Sequence, residues 1–123
     1  MSVAYISHPD CLLHDMGQRH PERPARLSAI NDRLIASGLD MALQHYSAPL
    51  VERELLEAVH DPDYVASVFD ASPEQELVWL DGDTAMGKFS LSASLRAAGA
   101  AATVQSQFHG HPPGKPGNHQ RPI

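Results

Sequence analysis

The sequence predicts a single small α/β domain with more helix than strand. Three observations predict it. Val3-Ala4-Tyr5-Ile6 is a short apolar run that suits a buried strand, and Met41 to Tyr46 reads as a second strand, with no burial implied. Between them, Leu27, Ile30, Leu34 and Ile35 repeat at helical spacing. Further on, Phe89 to about Val104 reads as a helix with Leu91, Leu95, Ala98 and Ala102 on one stripe. Amphipathic faces of this kind need a partner layer.

The totals fit that reading. A chain of 123 residues supports one domain with a modest core. Hydrophobic residues make up 42% and charged residues 20%, close to globular averages, which argues against wholesale disorder. The net charge of −6 argues against a nucleic-acid binder held by phosphate contacts, which needs a basic face. One cysteine allows no intrachain disulfide and points to a reducing, cytoplasmic setting. No apolar run approaches membrane-spanning length, and the N-terminus lacks the pattern of a secretory signal.

Each element has its own signals. A loop is expected from Ser7 to Arg23, because Pro9, Gly17 and Pro21 interrupt regular structure. It carries His8, Cys11, His14 and His20. Imidazole and thiolate bind zinc, and four ligands close a structural site. Against that, the spacing is irregular and there is one thiol, so the alternative is a polar loop whose histidines bond to backbone. The next helix opens at Pro24, whose missing N–H costs nothing in a first turn, and stops at Gly38. Arg26 lies beside the apolar stripe, either pointing along the buried face or covering apolar neighbours from the surface.

Pro49 ends the second strand, and Val51 to Val59 reads as a helix with Val51, Leu55 and Val59 on one face. His60 then precedes Asp61, a helix cap, and Pro62, a helix opener. The pairs Tyr64/Val68 and Val65/Phe69 give the following helix a packing side. Ala71 to Glu76 is an acidic loop, and Leu77 to Leu80 is apolar. In Asp81-Gly82-Asp83-Thr84, Asp81 suits a turn and Asp83 is left open. The tail, residues 105–123, is rich in Pro, Gly and His and is expected to be disordered.

Taken together, three segments resemble the zinc-dependent histone deacetylase family. They are His20-Pro21-Glu22-Arg23-Pro24-x-Arg26-Leu27, His60-Asp61-Pro62-Asp63-Tyr64-Val65, and Asp81-Gly82-Asp83-Thr84 followed by Leu95-Arg96-Ala97-Ala98-Gly99-Ala100-Ala101. The resemblance is to class II deacetylases, bacterial deacetylase-like amidohydrolases and acetylpolyamine amidohydrolases, and it spans about residues 3 to 103. It implies the N-terminal part of an arginase/deacetylase-like three-layer fold with a parallel sheet, over residues 1–104. In the family, zinc held by two aspartates and a histidine activates water against an acetyl amide. By resemblance, Arg26 lines the cavity beneath the zinc site and Asp83 is the rim aspartate that binds substrate amides.

The chain also departs from the family pattern. The family's catalytic histidine pair follows an Arg-Pro-Pro-Gly motif. Here the text is His111-Pro112-Pro113-Gly114-Lys115-Pro116, with Lys115 and Pro116 in place of the pair. The expectation is therefore a fragment without zinc ligands or catalytic residues, inactive and poorly stable alone. Its parent would use Zn2+ to deacetylate an acetylated lysine, polyamine or similar amine. The alternatives are a small non-catalytic module that binds metal or a partner through Cys11 and His14, and the product of a broken gene.

Overall fold

In the computed structural model, which describes residues 3–17 and 20–105, β1 (Val3–Ser7) and β2 (Leu43–Ser47) lie side by side and parallel. Val3 pairs with Leu43 and Ser7 with Ser47, and Ala48 N–H extends the contact to the Ser7 carbonyl at 2.8 Å. The connection between them holds α1 (Pro24–Ala36), so the first half of the chain is a βαβ unit. This agrees with the parallel sheet that the resemblance implies.

The start and end of α1 follow the sequence signals. Pro24 occupies the first turn, and Gly38 takes φ +80°, a left-handed conformation that a side chain would strain. The apolar stripe behaves otherwise than expected. No residue of α1 is fully buried among the described residues, and Ile35 is 64% exposed. Tyr5 O–H donates to the Asn31 carboxamide and ties β1 to this helix.

Three boundaries are corrected. The expected second strand, Met41 to Tyr46, begins instead with a 3-10 turn at Leu39–Ala42 and becomes strand at Leu43. Met41 falls in that turn and stands in solvent. The expected helix from Val51 to Val59 shrinks to α2 (Arg53–Glu57), with Val51 buried in the approach and Val59 77% exposed beyond the end. The expected loop from Ser7 to Arg23 contains a 3-10 turn, Pro9–Leu13, capped by His8 accepting from the Asp10 N–H.

Two elements match closely. α3 (Pro62–Ala71) is capped by Asp61, whose carboxylate accepts the Asp63 N–H at 2.7 Å, and it buries Val65. α4 (Ser90–Thr103) buries Ser90, Ala93 and Gly99. Between them β3 (Val78–Trp79) and β4 (Ala85–Met86) form a small antiparallel hairpin.

α4 is the axis of the packing. Arg96 Nη1 donates to the Ala48 carbonyl at 2.9 Å, and its Nε lies 3.4 Å from the Asp10 carboxylate. That carboxylate also accepts the Ser92 hydroxyl at 2.6 Å. On the next turn, Val51 N–H donates to the Leu95 carbonyl at 3.1 Å. Gly99 permits this approach, since a Cβ there would lie 1.8 Å from the Pro49 carbonyl oxygen. Among the described residues, no helix is long and apolar enough to cross a membrane. The tail from residue 106 onward, where disorder is expected, lies outside the described residues.

Candidate functional site

The hairpin tip places Asp83. Asp81 Oδ1 accepts the Asp83 N–H at 2.8 Å, and the Thr84 carbonyl accepts the Leu80 N–H at 2.8 Å, so Asp81 serves as the turn residue. The same bond from the Asp83 N–H is the main reason the Asp81 carboxyl sits below its usual 3.8, and hydrogen bonds from Thr84 add to it. Asp83 itself projects outward, with its side chain 90% exposed.

His20 comes to meet it from the start of the first motif. His20 Nδ1 accepts the backbone N–H of Glu22 at 3.0 Å. A ring nitrogen that accepts carries no proton, so in the neutral ring the proton is on Nε2. Nε2 donates to Asp83 Oδ1 at 3.0 Å and lies 3.2 Å from the Asp83 carbonyl. Two motifs that are 63 residues apart are thereby joined.

Two adjoining cavities lie among these elements. One, of about 340 Å³, is walled largely by apolar side chains of α3, α4 and the hairpin, including Val65, Phe69, Met86 and Leu95. The other, of about 240 Å³, is bordered by Arg26 together with Cys11, Leu27, Ile30 and Ala97. His14, Glu22 and Ser94 line both. His14 Nδ1 shares a 2.7 Å hydrogen bond with Ser90 Oγ, which also accepts the Gly87 N–H at 2.7 Å. His14 Nε2 lies 3.8 Å from Glu22 Oε2. Arg26 thus borders a pocket while remaining an exposed residue of α1.

The loop histidines and the cysteine do not converge. His8 bonds to Asp10, Cys11 Sγ reaches the Ala93 carbonyl at 3.8 Å, His14 turns to Ser90 and His20 to Asp83. Among the described residues, no three His, Cys, Asp or Glu side chains gather where they could hold a metal ion. The donors among the described residues therefore do not fit a zinc centre, which needs at least three protein ligands on one ion. Burial, followed by the nearby Asp10 charge, pushes the Cys11 thiol above its usual 9.0, so it is a poor thiolate donor. His60 stands at the edge of the larger cavity, its ring 6.1 Å from that of Tyr64.

Sequence reasoning singled out Asp83 and Arg26 and missed the contacts that surround them. In the sequence, His14 and His20 alike are loop histidines with the choice of a zinc ion or a backbone partner. Neither the His20–Asp83 bond nor the His14–Ser90 bond leaves a local signature, because each spans more than sixty residues. Asp10 with Arg96 is a third such pair.

Known proteins resemble this chain in sequence and in fold. The family profile described as histone deacetylase domain matches residues 20–111. The human protein named polyamine deacetylase HDAC10 is 36% identical over 88 residues, which is 67% of this chain and 13% of that protein. A solved structure titled as the HD domain of HDA15 superposes with a TM-score of 0.76 at 27% identity, covering 88% of this chain and 32% of that one. The chain thus spans well under half the length of either relative.

Proposed function

The chain belongs to the histone deacetylase family, and from that premise we propose that its residues form the substrate entrance and part of the pocket floor of an acetyl-amide hydrolase. Asp83 accepts amide N–H groups of the incoming acetylated amine or peptide. Its carboxylate is exposed at a turn tip, and a charge-assisted hydrogen bond suits such a role. Arg26 borders the smaller cavity, where a permanent positive charge attracts the carboxylate released by deacetylation. In the family a bound zinc would activate the attacking water, and the described residues bring no ligand set to such an ion.

The observation that carries this reading is the juxtaposition around α4. The hairpin through Thr84, the first motif through Glu22 and Arg26, and the α3 motif through Tyr64 and Val65 all line the same pair of adjoining cavities, and the His20–Asp83 bond ties the first motif to the hairpin. The substrate class proposed is an acetylated lysine, polyamine or related amine.

On this reading the 123-residue polypeptide alone has no amidase activity. Purified chain, supplied with zinc, is incubated with an acetyl-lysine reporter and with an acetylated polyamine. Release at the rate of a protein-free blank is expected. Turnover that rises with zinc and disappears with a chelator would overturn the proposal.

A further inference from the structure

We infer that His20 is a positioning residue for Asp83: it holds the rim carboxylate in one rotamer, with Oδ1 occupied and Oδ2 presented outward. The inference rests on the reading of Asp83 as the substrate contact and adds a residue that this reading does not use.

Three observations point the same way. The first is the fixed tautomer. The Glu22 N–H bonds to Nδ1 at 3.0 Å, which leaves Nε2 as the protonated nitrogen and aims it away from the motif's own backbone. The second is the double contact. Nε2 lies 3.0 Å from Oδ1 and 3.2 Å from the main-chain oxygen of the same residue, so side chain and backbone of Asp83 are gripped together. The third is the contrast in exposure. The His20 side chain is 15% exposed and the Asp83 side chain 90% exposed. The ring is a fixed support, and the carboxylate is the part that needs one.

An exposed aspartate left to itself samples several staggered χ1 wells. A carboxylate aimed at an amide N–H must leave that mixture when substrate arrives, and this ordering weakens binding. His20 carries out the ordering in advance. Asp81 does the same for the backbone by taking the Asp83 N–H. The remaining oxygen, Oδ2, is then free to accept from solution without any movement of the turn.

The test reads Asp83 directly. In isotope-labelled chain, three-bond couplings at Asp83 should report one χ1 rotamer, and the His20 ring nitrogens should report the Nε2–H tautomer. His20→Ala should average the couplings. His20→Gln, whose side-chain amide can donate from nearly the same position, should restore most of the single-rotamer pattern. Averaged couplings in the unmodified chain, or unchanged couplings in His20→Ala, overturn the inference. Asp83→Ala, a change at an exposed site, gives a second route should His20→Ala fail to fold. It should leave the tautomer set by the Glu22 N–H and take away the carboxylate acceptor of Nε2–H, so that this proton exchanges faster with solvent; an unchanged exchange rate again overturns it.

A separate titration with Nα,Nε-diacetyl-lysine methylamide divides this inference from the reading beneath it. His20→Ala should weaken binding about 2- to 10-fold, the scale expected for ordering one side chain. Asp83→Ala should weaken it at least as much, and His20→Ala should add nothing in that background. Binding by Asp83→Ala equal to that of the unmodified chain overturns Asp83 as the substrate contact, while the couplings still decide the positioning role.

Discussion

α4 and the rim beside its N-terminus are held in different ways. From Ser92 to Gly99 the helix is clamped by neighbours far away in sequence: Asp10 on Ser92 and Arg96, the Ala48 carbonyl on Arg96, and Pro49 against Gly99. The rim near its N-terminus is built from short local turns and two-residue strands, and His20–Asp83 is the long-range bond at its tip. The clamp is half-buried or buried throughout, whereas Leu77 to Asp83 is exposed at every position. The contrast teaches that fold and site draw on separate contacts. Breaking the clamp should loosen the whole unit, and breaking the rim should alter recognition with little effect on the core.

Gly99→Ala should do the greatest damage to this division. The added methyl meets backbone at Pro49, which has no flexible end to move, so α4 must lift off the segment 49–51. A loss of about 3 kcal/mol is expected, the upper part of the usual range for overpacking. Urea unfolding and faster hydrogen exchange at Val51 N–H would register it. An unchanged Val51 exchange rate would show that the close approach does not hold the clamp.

Arg96→Met comes next. It keeps the apolar stem and leaves the buried Ala48 carbonyl without its guanidinium donor. The expected cost is about 1–3 kcal/mol, the penalty for an orphaned buried acceptor. The rim should be undisturbed, with the Asp83 couplings as in the unmodified chain. Altered couplings would mean that rim and clamp are one unit.

Acid should give the smallest effect. The Ser92 hydroxyl, helped by the charges of His8 and Arg96, holds the Asp10 carboxyl below its usual 3.8 despite some desolvation. A depressed carboxyl contributes stability above its ordinary value and loses it as pH falls through the folded one. Unfolding free energy should therefore decline below about pH 3.8, and Asp10→Asn should flatten that decline. An equal slope in both proteins would remove Asp10 as its source.

Much of the local structure was legible beforehand. Pro24 and Gly38 bounded α1, Asp61 and Pro62 opened α3, and Asp81 made its turn, because each acts through its own backbone or that of the next few residues. The boundaries differ at Met41, which stands 92% exposed in a 3-10 turn, and at Val59, which shares a helical face with Val51 and Leu55 in the sequence pattern yet is 77% exposed beyond the end of α2. Periodicity tells which residues share a face and is silent on whether anything covers it.

The same distinction governs the site. The sequence alone determined the order of the elements, the motifs that carry the family likeness, and the placing of Asp83 and Arg26 in them, since such patterns are written along the chain. Tertiary structure alone decided that His20 supports Asp83, that His14 turns to Ser90, and that His8, Cys11, His14 and His20 go to separate partners instead of one ion. A hydrogen bond acts over about 3 Å of space. When its two partners are more than sixty residues apart, the fold brings them together and nothing in the intervening sequence announces the meeting.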